Sequence, residues 1–294
     1  MDKRKNSVVA IIVNENGNVL LLRRHDHDRT YKGWCLPGGK VDDNESLHEA
    51  LVREVYEEVG MEVTNAHWYC SKSNDKFNIH FFITEVKSTE VILNTDELHS
   101  CGWWGVLNLP HNTLPITHSV LSRFPAMEFA LISQYYGDKK AKRSGVRYIN
   151  HITEGLCILE NINAPLLSKK IFAVHPLVQS DNDLLFNLSN YHLGALDYRV
   201  LLLAMEYRNT ANNHLSDSEG LLQLSCVEDV NYALLADKVQ NQKDFRQYHQ
   251  DHERYEDLRV YFKRWIGRLL SRLDLRDNED WIHLTFKPLS AQYD

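Results

Sequence analysis

Three glutamates, Glu54, Glu57 and Glu58, stand at i, i+3 and i+4 in a stretch whose apolar residues Leu47, Ala50, Leu51, Val55 and Val59 sit near helical spacing. The spacing predicts a helix over residues 45–59, stopped by Gly60, with the three carboxylates on one face. Carboxylates packed this closely repel one another unless a positive charge sits among them. A glutamate-rich helix face is ordinarily just a solvated one. Hard divalent cations, however, prefer oxygen ligands of this kind, and Mg²⁺ also keeps waters and binds substrate phosphates. The pattern therefore suits a metal–phosphate site.

The residues just ahead of this helix fit the same use. Leu36-Pro37-Gly38-Gly39 predicts a sharp turn in which the backbone approaches a metal or phosphate closely, and the Gly39 carbonyl is a candidate ligand. Glu45 falls near the helix start, where a carboxylate caps free amides. Arg53 adjoins Glu54 and is placed to bridge to a carboxylate and fix its orientation.

Read in order, Gly39, Glu45, Arg53, Glu54, Val55, Glu57, Glu58, Gly60 and Met61 fill every specified position of the pattern Gly-x5-Glu-x7-Arg-Glu-U-x-Glu-Glu-x-Gly-U, where U is bulky and apolar. The segment resembles the Nudix box. Trp34-Cys35-Leu36-Pro37-Gly38-Gly39-Lys40-Val41, Leu20-Leu21-Leu22-Arg23-Arg24 and Trp103-Trp104-Gly105-Val106-Leu107 resemble the strands and turns of MutT-like members, extending the likeness over residues 7–135. The resemblance implies an α+β Nudix sandwich, a mixed sheet between helices. It implies a nucleotide diphosphatase dependent on Mg²⁺, with Mn²⁺ as a substitute, in which metal-activated water attacks one phosphorus of a diphosphate. Carried onto this sequence, it makes Gly39, Glu54, Glu57 and Glu58 the metal ligands. It leaves Glu54 or Glu57 as the general base, with Glu97 on a later loop as the alternative.

Substrate choice lies outside the box. Arg23 and Arg24 are candidates for phosphate contact, but neighbours on a strand point opposite ways, so one of them at most serves. Phe81, Phe82, Trp103 and Trp104 are candidate base-stacking surfaces, although strand aromatics more often fill a core. A nucleoside di- or triphosphate is the first expectation for the substrate. ADP-ribose, dinucleoside polyphosphates and alarmones belong to an alternative, a nucleotide sensor that binds without turnover. The intact box favours catalysis.

The elements that must position these groups follow from the rest of the chain. Residues 8–13 and 19–22 are apolar runs around the turn cluster Asn14-Glu15-Asn16-Gly17-Asn18, which predicts a hairpin. Strands are expected at 63–70, 79–86 and 103–107, and a helix at 118–136. The stretch 137–145 is polar, basic and bounded by glycines, so it reads as a linker. The expected organisation is a Nudix domain over 1–138, a linker over 139–147 and a mostly α-helical domain over 148–294. Helices are expected at 191–207, 227–242 and 253–273, and a strand at 281–286.

In that second half, the stretches around His151, His175 and Asp237 resemble, in order and spacing, the HD-type phosphohydrolase domains of alarmone hydrolases. The resemblance implies a metal site for His151, His175 and Asp237, but Pro176 stands where a fourth ligand is expected. A degenerate HD-like scaffold is therefore expected rather than a second active site, and plain core histidines are the simpler alternative. Such a domain would recognise a nucleotide, regulate the first domain or mediate a homodimer. The aromatic and histidine residues Tyr248, His249, His252, Tyr255, Tyr261 and Trp265 read as a packing face or partner interface.

Composition bounds the rest. The 294 residues are 43% hydrophobic and carry 33 basic against 40 acidic residues, a net charge of −7, which argues against a broad nucleic-acid surface. Five scattered cysteines without a CxxC pair argue against a disulfide framework. No transmembrane span or signal peptide is apparent, so no membrane partner is expected and the expected location is cytoplasmic.

Overall fold

A computed structural model of the chain describes residues 4–25, 33–142, 144–190, 193–216, 222–248 and 255–275. The strand expected at 281–286 lies outside these residues, as do His249 and His252. The chain divides into two compact units between Ala130 and Leu131, ahead of the expected linker.

In the first unit, β1 (Lys5–Ile11), β4 (Gly38–Lys40), β5 (Val63–Ser73) and β6 (Phe77–Val86) form one sheet in the order β4-β1-β6-β5. Its β1–β6 pair is parallel and its other pairs are antiparallel, so the expected mixed sheet is present. A second, antiparallel sheet contains β3 (Trp34–Cys35), β2 (Asn18–Arg24) and β7 (Leu98–Gly105), in the order β3-β2-β7. The expected hairpin of residues 8–13 and 19–22 does not extend along those runs. The two meet at a single bridge, Val13–Val19, and then enter different sheets. Burial explains the difference. Ala10, Ile11 and Ile12 are all fully buried, so this strand has cover on both faces and sits inside a sheet.

The helix α1 (Leu47–Val59) packs Ala50, Leu51, Val55 and Val59 into a core with Val8, Ala10, Leu20, Leu22 and Phe82. On the other face of β5, Tyr69 meets Phe124 edge-on, with ring centroids 5.4 Å apart. The helix expected at 118–136 is two helices, α2 (Pro115–Leu121) and α3 (Ala126–Tyr136). Pro125 lies between them, and it can neither donate to a helix already running nor leave its predecessor helical.

The described part of the second unit is helical: α4 (Tyr148–Asn161), α5 (Leu166–Val174), α6 (Asp181–Asn190), α7 (Tyr198–Ser216), α8 (Glu228–Tyr248) and α9 (Tyr255–Arg272). Of the anticipated aromatic stretch, Trp265 is buried, beside the buried α9 residues Phe262 and Leu269, whereas Tyr248 is exposed. No described helix is long and apolar enough to cross a membrane.

The start of α1 differs from the sequence expectation. Ser46 caps it: its Oγ accepts the Glu49 N–H at 3.2 Å, and the Glu49 carboxylate accepts the Ser46 N–H at 2.8 Å. Glu45 does not cap the helix amides. It accepts the Asp42 N–H at 3.0 Å instead and pairs with Arg53. The Ser-x-x-Glu pattern of a capping box was the signal for this end. Ser46→Ala is expected to lower stability by about 1 kcal/mol. Thermal denaturation checks this, and an unchanged melting temperature would contradict the cap.

Candidate active site

The turn before α1 places backbone against carboxylates. Gly38 has φ +139°, and a Cβ there would lie 2.1 Å from the Val8 carbonyl oxygen, so only glycine fits. A Cβ on Gly39 would lie 2.3 Å from Glu54 Oε2 and 2.4 Å from Oε1. The missing side chain of Gly39 is thus the space that the Glu54 carboxylate fills. The Gly39 carbonyl oxygen accepts from Ser7 Oγ at 2.7 Å.

Arg53 ties this cluster together. Its Nε and Nη2 each donate to the Glu45 carboxylate at 2.8 Å, and Nη2 also donates to the Lys40 carbonyl at 3.1 Å. Its Nη1 reaches Glu54 at 2.9 Å and Glu57 at 3.1 Å. A guanidinium fork can hold several carboxylates in fixed directions, which a lysine cannot do. Glu54 is pushed above the usual glutamate range by burial, against the pull of Arg53.

Glu58 sits behind them, 2% exposed. Its Oε2 accepts the Gly38 N–H at 2.7 Å and its Oε1 accepts Arg24 Nη2 at 2.9 Å. Arg24 Nη1 is also 3.8 Å from Glu97 Oε2. The loop that carries Glu97 is fastened to the end of α1: Ile92 N–H donates to the Val59 carbonyl and Asn94 N–H to the Glu58 carbonyl. A register shift in the β2–β7 pairing falls between Arg23 and Arg24.

Burial raises the Glu58 carboxyl from 4.5 to about 8, with Gly38 and Arg24 pulling it down and Glu54 and Glu97 pushing it up. A raised carboxyl holds in the folded state a proton that the unfolded chain releases. The associated stability is present below the unfolded pKa and is lost as pH rises through about 8. The melting temperature of metal-stripped protein is therefore expected to fall between about pH 5 and pH 9, and to fall less in Glu58→Gln. Equal pH slopes in the two proteins would refute this.

A cavity of about 430 Å³ opens beside this cluster. Arg24, Gly39, Glu54, Glu57 and Glu97 line one part of it, and Val9, Phe77, Ile79, Phe81, Leu114 and Ile116 line another. Arg23 and Glu58 are outside its described lining. Strand alternation decides the aromatic wall. Phe77, Ile79 and Phe81 point to the cavity, while Phe82 joins the core beneath α1 and Trp103 packs against that core. Trp104 meets Trp34 edge-on at 5.6 Å and is also absent from the described lining. Of the four anticipated stacking residues, only Phe81 reaches the cavity. Phe77 and Ile79 could have been found by stepping back in twos from Phe81.

The oxygen donors fit a hard divalent cation. Several carboxylates and a backbone carbonyl gather beside a backbone that lacks a Cβ, and such a set suits an oxygen-seeking ion. In the second unit, His151, His175 and Asp237 also come together, with one ligand atom of each lying within 4.8 Å of the others.

The NUDIX domain family model matches residues 3–124. An 8-oxo-dGTP diphosphatase from Proteus vulgaris is 34% identical over 94 residues, covering 30% of this chain and 84% of that protein. A CTP pyrophosphohydrolase from Escherichia coli (strain K12) is 33% identical over 98 residues, covering 33% of this chain and 73% of that protein. Among solved structures, a MutT NUDIX hydrolase from Burkholderia pseudomallei aligns with a TM-score of 0.38 and 26% identity, over 41% of this chain and 98% of that one. With a family match across the unit that carries the carboxylate cavity, and a relative whose length is mostly covered at this identity, the chain belongs to the NUDIX family.

Proposed function

We propose that the first unit hydrolyses the diphosphate linkage of a nucleoside di- or triphosphate. One observation carries this reading: a single cavity joins Glu54, Glu57, Glu97 and Arg24 to an apolar wall of Phe77, Ile79 and Phe81. Carboxylates with an arginine suit a cation-neutralised polyphosphate, and a flat apolar wall suits a nucleobase. The curated relatives named for 8-oxo-dGTP and CTP hydrolysis support the same class of substrate.

Gly39, Glu54, Glu57 and Glu58 would hold the divalent cation, Mg²⁺ first and Mn²⁺ as a substitute. When bound, the cation lowers the pKa of water and neutralises charge on the phosphates. The chain's own groups do the rest. Arg53 fixes the directions of Glu54 and Glu57. Arg24 faces the phosphates with a guanidinium suited to their oxygens. Glu54, Glu57 or Glu97 takes the proton from the attacking water. The apolar wall seats the base and orients the diphosphate.

The test is a product screen of the full chain with Mg²⁺ or Mn²⁺ over nucleoside di- and triphosphates, oxidised nucleotides, ADP-ribose, dinucleoside polyphosphates and alarmones, alongside Glu57→Gln. Turnover of a nucleoside di- or triphosphate that collapses in the variant is expected. Absence of turnover for every compound overturns the enzyme reading, and tight binding without turnover favours a sensor.

A further inference from the structure

The cavity of the first unit carries two polar groups that the hydrolytic chemistry does not use. Asn74 lies in the turn between β5 and β6, just before Phe77, and Thr117 follows Ile116 on α2. Both line the cavity together with its apolar wall. Ser7, the other hydroxyl in the described lining, is committed to the Gly39 carbonyl.

The turn fixes which half of the Asn74 amide is free. Its Oδ1 accepts the Lys76 N–H at 2.9 Å and the Phe77 N–H at 2.8 Å. The Asn74 N–H donates to the Phe77 carbonyl at 3.0 Å, which closes the turn. Reversing the amide would set its NH₂ group against two backbone N–H groups, so the assignment is forced. A carbonyl oxygen has two lone pairs, and both are taken. What Asn74 has left is Nδ2, which donates and cannot accept, and no described residue accepts from it.

Thr117 differs. It is 4% exposed, yet its hydroxyl has no hydrogen bond to any described residue. Buried hydroxyls are ordinarily paired, and a helical threonine can bond back to a carbonyl one turn earlier. Because Thr117 lines the cavity, its partner comes from what the cavity holds. A hydroxyl both donates and accepts, so it strengthens a contact without choosing between the two.

We propose, resting on the reading of this cavity as a nucleotide site, that Asn74 and Thr117 contact the edge of the nucleobase and that Asn74 selects bases bearing a carbonyl there over bases bearing an amino group. The donor-only Nδ2 matches the 6-carbonyl of guanine or hypoxanthine and the 4-carbonyl of uracil or thymine. Adenine and cytosine bring an amino group to the same place, where two donors meet. The wall of Phe77, Ile79 and Phe81 covers the face of the ring and does not sense this difference. Thr117 holds either kind of base, and Asn74 chooses.

Two substrate pairs isolate the edge: inosine against adenosine triphosphate, and uridine against cytidine triphosphate. With Mg²⁺, kcat/KM of the full chain is expected to favour the carbonyl member of each pair by about tenfold or more, the order of one hydrogen bond gained against one donor left unpaired. Asn74→Asp keeps an oxygen for the turn but presents an acceptor, and is expected to bring both ratios to one or below. If that variant does not fold, Asn74→Ser takes its place with the same loss of ratio expected, because serine keeps the turn without an amide. Thr117→Val is expected to raise KM several-fold for all four nucleotides and to leave the ratios unchanged. Equal kcat/KM within the wild-type pairs, or a folded Asn74 variant that keeps the preference, overturns the proposal, and an unchanged KM in Thr117→Val overturns the part given to Thr117. Calorimetric affinities of Glu57→Gln for the same nucleotides separate this from hydrolysis. A carbonyl-favouring affinity ratio without turnover in wild type sinks hydrolysis and keeps base selection, turnover without a ratio sinks base selection alone, and no binding of any of the four overturns both.

Discussion

Gly39→Ala is expected to lower kcat by at least about 10²-fold while leaving the protein folded. The added Cβ would fall 2.3–2.4 Å from both Glu54 carboxylate oxygens, so the carboxylate must move. That carboxylate is the end of a flexible side chain, and moving it costs little stability. The Gly39 backbone also lies outside the left-handed region, so alanine fits its conformation. The loss appears in chemistry, because displacing a reacting group by about 1 Å can cost about 10²-fold in rate. Gly38→Ala is the contrast. Its φ of +139° and the Val8 carbonyl oxygen 2.1 Å from the added Cβ make the backbone itself yield. Gly38→Ala is expected to lose the fold. The comparison requires kcat for Gly39→Ala and melting temperatures for both. Near-normal turnover by Gly39→Ala would show that the position of Glu54 beside the turn is not used.

Lys169→Met is expected to destabilise the helical unit by about 3–5 kcal/mol, the usual cost of leaving a buried charge without its partner. Lys169 on α5 and Glu160 on α4 are almost wholly inaccessible, and Lys169 Nζ donates to Glu160 Oε2. Truncating the cation removes the buried ion-pair partner that Lys169 supplies to the buried Glu160 carboxylate. Most of that loss is desolvation of the remaining carboxylate rather than the net value of the pair. Replacing both residues in Glu160→Gln/Lys169→Met is therefore expected to recover much of the stability. Denaturant unfolding of the two variants checks the cycle. If the double variant is as unstable as the single one, lost packing around the lysine stem is the cause instead.

The box residues were legible because helical spacing fixes a face. Glu54 and Glu57 come together at the cavity as i, i+3 periodicity requires, and Gly60 ends the helix with φ +66°. A mixed α/β part followed by a helical part was legible from runs of apolar residues, the sandwich itself was what the resemblance of the box implied, and the split of the 118–136 helix was available in Pro125. Sequence alone could not place what depends on strand partners. The hairpin expected of residues 8–13 and 19–22 gave way to two sheets, because local turn chemistry competes with burial that only the assembled core supplies. Arg23 and Arg24 are adjacent and chemically alike. Only the β2–β7 register and the loop tied to α1 set Arg24 beside Glu58 and Glu97. His151, His175 and Asp237 are far apart in sequence, and their types and order could raise the idea of a cluster. Only the tertiary fold brings them together, through the packing of separate helices that no spacing rule foretells.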